Sequence, residues 1–369
     1  LKLYGTHLKA VINTQGSPQA HYALTAESED IPVLIVEEDK LDYLSDGKRV
    51  VIFDDGYISI SPSYGLMRKL YKKVDERKMI GNYYRSVARK ASVMNKYPVW
   101  VNADTAFQIR RAVEEHNPAG IGLRRLENIL SGILPLTAKE SRAETIAALE
   151  SAQGLKVILR FMDFALDKKP LAYSFIDYRR NKWFIEHPVG RAVSQQFVRT
   201  ILECKSGGFD NFVLIAPMVE TEEDLKEVEE LISREAEKRN MFHQVFEKGA
   251  MVETREAIQR IEEILRRVSF ISFGTNDLIA SFYKEARRNN STEYFEYYVK
   301  VNPLILKIIR DVSFRAKERG VKVSVCGDLA ALPEFWVVWN YLKSEGADIV
   351  LSMPAPFTDM FRALSLIHI

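Results

Sequence analysis

Phe270-Ile271-Ser272-Phe273-Gly274-Thr275-Asn276-Asp277-Leu278 sets five residues of buried-strand character directly against a polar ending. A short, nearly unbroken apolar run closed by glycine reads as a strand covered on both faces, as in a parallel sheet with helices outside it. The same unit recurs on either side. Upstream lie Val99–Asn102, Gly120–Leu123, Lys156–Arg160, Phe212–Pro217 and Ala250–Glu253, and downstream lie Lys322–Cys326 and Ile349–Ser352. Helical segments separate them. Thr221-Glu222-Glu223-Asp224 reads as a capping box leading into Leu225, Val228, Leu231 and Ile232 at helical spacing, and Leu304, Ile305, Ile308, Ile309 and Val312 form a second stripe.

Strands alternating with helices over about 260 residues, without a break in the series, predict a (β/α)8 TIM barrel spanning residues 97–363. Residues 1–63 carry weaker β-type runs at Ala10–Asn13, Pro32–Val36, Val50–Asp54 and Tyr57–Ile60, punctuated by Asp46-Gly47 and Asp54-Asp55-Gly56. Between the two lies a basic stretch over 64–96, read as a linker helix. The closing Leu364–Ile369 resembles translated sequencing-adapter sequence and is set aside from the fold, His368 with it.

Composition narrows the function. The chain has 369 residues, 47% hydrophobic and 28% charged, with a formal net charge of +2, so any functional charge is local. The basic stretch carries no aromatic-interleaved stacking motif, which argues against a nucleic-acid partner. Two cysteines, Cys204 and Cys326, are too few for a disulfide framework and fit a reducing compartment. With no long apolar run, the expectation is a soluble cytoplasmic protein without a membrane segment.

In a (β/α)8 barrel the chemistry sits at the C-terminal ends of the strands. Those ends carry Arg124 and Arg125, then Arg160 with Asp163, then Glu253, Asn276-Asp277, and Cys326-Gly327-Asp328. Two carboxylates from different strands, with no clustered histidine or cysteine, point to a hard cation held by oxygen, and magnesium is favoured. Arginines offer planar forks for phosphate and carboxylate. The rim therefore describes a pocket for a small phosphorylated acid.

The motifs carrying these residues resemble those of the phosphoenolpyruvate-utilising enzymes. Gly120-Ile121-Gly122-Leu123-Arg124-Arg125-Leu126-Glu127 is similar to their GIGLxRTE, Gly249–Thr254 to GxMxE, Phe270–Leu278 to FFSIGTNDL, and Val325–Ala330 to CGELA, in order along the barrel. The resemblance implies a TIM barrel in which Glu253 and Asp277 ligate Mg2+, Arg125 and Arg160 grip the phosphoryl group, and Asn276 donates nearby. It implies further substrate contacts from Lys168, Arg287 and, through the shortened His187-Pro188-Val189-Gly190-Arg191, Arg191. Cys326 would return a proton to the enolate.

Gly16-Ser17-Pro18-Gln19-Ala20-His21-Tyr22-Ala23-Leu24 resembles the GGxTSHxAI stretch of the family's swivelling phosphohistidine domain and puts His21 on the phosphorylated histidine. Gln19 and Ala20 depart from the Thr-Ser of that motif. Within the family the look is nearest to phosphoenolpyruvate–protein phosphotransferases, which implies phosphoenolpyruvate and pyruvate as substrate and product, a phosphocarrier protein as acceptor and a homodimer through the barrel. A piece of pyruvate, phosphate dikinase or phosphoenolpyruvate synthase is the first alternative, and a non-catalytic phosphoenolpyruvate-binding barrel the second.

Overall fold

The computed structural model describes residues 8–14, 26, 31–53, 57–126, 138–163, 187–241, 247–282 and 292–366. The chain divides into two compact units, Leu1–Ser86 and Val87–Ile369, with the division inside a long helix, Tyr64–Ala88. In the first unit β1 (Val11–Asn13) pairs in parallel with β2 (Val33–Ile35), and β3 (Val50–Ile52) pairs antiparallel with β4 (Ile58–Ile60). The basic stretch forms two helices. Tyr64–Ala88 ends where Lys90 leaves helical geometry at ψ 128°, and Ala91–Lys96 follows. Arg89, in the break, donates through Nη2 to the carbonyl of Glu115 at 2.7 Å, on the last turn of helix Ala106–His116, where a cation meets the negative end of the helix.

The second unit is a closed barrel of eight parallel strands: β5 (Val99–Asn102), β6 (Gly120–Arg125), β7 (Val157–Arg160), β8 (Phe212–Ala216), β9 (Glu247–Val252), β10 (Phe270–Gly274), β11 (Lys322–Cys326) and β12 (Ile349–Pro354). β12 returns to pair with β5, so no sheet edge is left open. Successive side chains alternate between lumen and helix layer. Leu123, Ile158, Val213, Ile215, Met251 and Phe270 fill the lumen, with Trp100 stacked on Phe270 at 5.7 Å between ring centroids. The opposite faces join the larger core beneath the helices.

The helices that follow β5, β8 and β9 each open on a threonine: Thr105, Thr221 and Thr254 accept from the backbone N–H of Gln108, Asp224 and Ala257. Each such cap stabilises its helix by about 1 kcal/mol. It also pins the strand-to-helix turn at the rim, where the site residues lie. At the opposite end the last helix, Ala355–Ser365, is tied to the first strand–helix unit. Arg362 donates from Nη1 to the His116 carbonyl at 2.8 Å and from Nη2 to Asn117 O at 3.1 Å, while His116 Nδ1 lies 2.9 Å from Asp359 Oδ2.

Candidate active site

Strand register brings the arginines together. Arg125 at the end of β6 is the in-register neighbour of Arg160 at the end of β7, and Gly274 of β10 is the neighbour of Cys326 on β11. Adjacent strands run about 4.8 Å apart, so two guanidinium groups start from neighbouring positions on one rim. Such a pair is repulsive unless anions lie close by. Asp104, just beyond β5, supplies one: its carboxylate accepts from Arg125 N at 2.7 Å, Nε at 3.3 Å and Nη2 at 2.8 Å.

Glu253 follows directly on β9 and is 1% exposed. Its Oε1 accepts from the backbone N–H of Met218 at 2.7 Å, while Oε2 is buried and meets no hydrogen-bond donor among the described residues. Burial first, and then the neighbouring charge of Asp277, hold this carboxyl well above the usual carboxylate range, with Arg160 and the Met218 N–H pulling the other way. Asp277 stands in the first turn of helix Thr275–Phe282 and is partly exposed. A buried acceptor without a donor, facing a second carboxylate, is what a hard cation relieves. Space agrees: a Cβ on Gly274 would fall 2.4 Å from Glu253 Oε2, so the carboxylate occupies the volume a side chain would take.

Among the described residues no three His, Cys, Asp or Glu side chains gather as a metal site. Mg2+ accepts one or two protein carboxylates when water and substrate oxygens complete its shell. Glu253 and Asp277 fit that role.

Asn276 is fixed by its oxygen. Oδ1 accepts from Asp328 N at 2.9 Å, which makes the amide nitrogen the donor side. Gly327 permits this contact, since it adopts φ 88°, and a Cβ there would lie 2.8 Å from Asn276 Oδ1. Thr275 Oγ1 donates to the Cys326 carbonyl at 2.8 Å, joining β10 to β11 at the same point. Cys326 is 4% exposed. Burial pushes its thiol up to about 11, against a hydrogen bond from Ser272, and its charge environment includes Glu253, Arg160 and Arg125. The thiol is thus protonated at neutral pH and donates to Phe273 O at 3.3 Å.

Of the residues predicted from sequence, Arg125, Arg160, Glu253, Asn276, Asp277 and Cys326 come to the C-terminal rim of the barrel. Arg191 is exposed in the opening turn of helix Pro188–Ser206, whose N-cap is His187 with Nδ1 accepting from Val189 N at 3.2 Å. His21, Lys168 and Arg287 lie outside the described residues. Asp104 was not singled out by its sequence. Its one signal is its place beside Thr105 and Gln108, a capping pair directly after a strand.

The family model for the PEP-binding domain of PEP-utilising enzymes matches residues 81–355. The phosphoenolpyruvate-protein phosphotransferase of Priestia megaterium is 25% identical over 333 residues, covering 85% of this chain and 56% of that protein. The protein of the same name from Bacillus subtilis is 26% identical over 340 residues, 85% of this chain and 57% of its own length. Multiphosphoryl transfer protein 2 of Escherichia coli is 25% identical over 378 residues, 96% of this chain and 43% of that protein. The chain thus spans just over half the length of the phosphotransferases it matches, and no helix among the described residues is long and apolar enough to cross a membrane. With a closed barrel and residues 81–355 matched to one family, this protein belongs to the phosphoenolpyruvate-utilising enzymes through their PEP-binding domain.

Proposed function

We propose that the barrel binds phosphoenolpyruvate with Mg2+ at this rim and that its phosphoryl group passes to His21, leaving pyruvate. The observation that carries the reading is the in-register pair Arg125 and Arg160 at the same end of a closed barrel as the buried Glu253 carboxylate, which feels the charges of Asp277 and Arg160. Neighbouring forks suit the phosphate of a small acid, and the carboxylates suit the cation that accompanies it. The names of the phosphotransferase relatives point to a protein acceptor beyond the histidine, and a phosphocarrier protein is the corresponding partner here.

Chemically, the bond between phosphorus and the enol oxygen breaks as a bond from phosphorus to an imidazole nitrogen forms. The electron pair stays on the enolate, which takes a proton at its methylene carbon to give pyruvate. Arg125 and Arg160 orient the phosphoryl group and spread its charge, and the amide nitrogen of Asn276 donates to an oxygen beside it. Cys326 holds the proton in a water-poor site and delivers it, after which solvent reprotonates the thiolate. Mg2+, which Glu253 and Asp277 would hold, would supply charge neutralisation for the transfer.

The test is incubation of the protein with phosphoenolpyruvate labelled at phosphorus, Mg2+ present. Label retained on the parent and lost in His21→Ala and Asp277→Asn supports the reading. Mg2+-dependent binding of phosphoenolpyruvate with no label on the parent favours a binding barrel without turnover, which the changed residues Gln19 and Ala20 before His21 motivate. Absence of binding removes the proposal.

A further inference from the structure

Every polar atom of Asp104 is engaged. Its N–H donates to Gln108 Oε1 at 2.9 Å, its carbonyl accepts from Arg124 Nε at 3.0 Å, and its carboxylate takes three bonds from Arg125, at the backbone N, Nε and Nη2. The side chain of Arg125 keeps 30% of its surface, whereas that of Asp104 keeps 7%. Asp104 is thus the more buried member and Arg125 the more exposed one, and the charge of Arg125 is felt at Cys326. The side-chain bonds to Asp104 use the Nε–Nη2 edge of the guanidinium.

Arg124 makes the arrangement unusual. It is 0% exposed, burial lowers its guanidinium to about 10 despite Glu144 and Asp104 nearby, and its Nη2 finds no hydrogen-bond acceptor among the described residues. A buried charge with an unused donor costs stability, and replacing it with an apolar side chain of similar volume is often neutral or stabilising. Its hydrogen bonds go to the Asp104 carbonyl and, at 3.4 Å, to Thr145 Oγ1. Two consecutive arginines on β6 therefore divide the work: one holds the backbone of Asp104, and the other is held by its side chain.

We propose that Asp104 is a positioning residue that aims Arg125 at the phosphoryl site, with Arg124 and Gln108 fixing Asp104 in turn. The inference rests on the reading of Arg125 as a phosphate-gripping residue. A long arginine loses conformational freedom when it binds an anion, and a fork already held on one edge has less to lose. Asp104 also stands as a buried carboxylate beside the site, so the edge of Arg125 that it covers is held in one place when an anion arrives.

The experiment is a double-mutant cycle on phosphoenolpyruvate affinity, measured calorimetrically with Mg2+, over the parent, Asp104→Asn, Arg125→Ala and the double variant. Asp104→Asn keeps the volume but turns one acceptor into a donor aimed at Arg125. It is expected to weaken binding about tenfold or more, the order reached when a binding group is misplaced by an ångström or less. In the Arg125→Ala background the same change should alter affinity by less than about twofold, since a residue acting through Arg125 has nothing left to act on. Arg124→Met is the second variant. It should keep or raise the melting temperature while weakening binding, a combination a purely structural role does not give. Equal effects of Asp104→Asn in both backgrounds, or full affinity in Arg124→Met, overturn the inference while the binding site stands. A parent that does not bind phosphoenolpyruvate overturns the functional reading and the inference together.

Discussion

Gly274→Ala tests the cation site through its packing. The added methyl would lie 2.4 Å from Glu253 Oε2, 3.0 Å from Met251 Cε and 3.1 Å from Glu253 Cβ. Ordinary contact begins near 3.4 Å, so the carboxylate has to retreat by about 1 Å. Its other oxygen is tied to Met218 N at 2.7 Å, and rotation about the side chain loosens that bond as well. The strain of such overpacking is about 1–3 kcal/mol. For a barrel of this size each kcal/mol lowers the melting temperature by about 2–4 °C, so the variant folds with a loss of a few degrees. The effect on Mg2+ is larger, because a ligand oxygen moved by this much leaves the near-ideal geometry that the ion demands. Titration calorimetry should show Mg2+-dependent phosphoenolpyruvate binding weakened by about tenfold or more, with Glu253→Gln losing it to a similar degree without the clash. Unchanged affinity in Gly274→Ala, with a normal melting curve, would refute the assignment of Glu253 Oε2 as a ligand, since the oxygen would have moved without consequence.

Arg160→Lys should retain the fold within a few degrees and weaken phosphoenolpyruvate binding by about tenfold to a hundredfold, the range for one lost charged hydrogen bond in a fork that a point charge cannot replace; normal affinity counts against its role at the phosphate. Cys326→Ala should bind phosphoenolpyruvate as the parent does, while pyruvate release falls by about 10²–10⁴ for want of the proton donor; equal losses of affinity and turnover make it a packing residue. Acid stability should report on Glu235: burial raises its carboxyl, but hydrogen bonds from Arg199 and Lys238 win and bring it from 4.5 to about 2. Its contribution is therefore present above pH 4.5 and lost as pH falls towards 2, so thermal melts of Glu235→Gln and the parent should differ at pH 6 and converge by about pH 2.

The barrel was legible because its strands are buried on both faces, so Phe212–Ala216 and Phe270–Gly274 show as apolar runs that no amphipathic helix would carry. Strand ends were less so. β9 begins at Glu247, three residues before the apolar run, because Glu247 and Lys248 pair with Val213 and Leu214. Their charges are satisfied outside the strand, Glu247 by Lys156 and Lys248 by Glu229 at 2.9 Å, so polar residues that read as loop are built into the ladder. β6 runs on through Arg125, since its last residues pair with Leu159 and Arg160. The candidate site residues stand out by their motifs, but the groups that support them do not. Asp104 binds Arg125 across 21 positions of chain, and only the return of β6 beside β5 brings them together. His187 shows the reverse case: its segment resembles a substrate-binding motif, and its imidazole caps a helix. A sequence motif names candidate groups for a ligand; what keeps such a group in place is written in the pairing of strands, and here Arg125 is held by an aspartate that directly precedes the Thr105 cap of a helix.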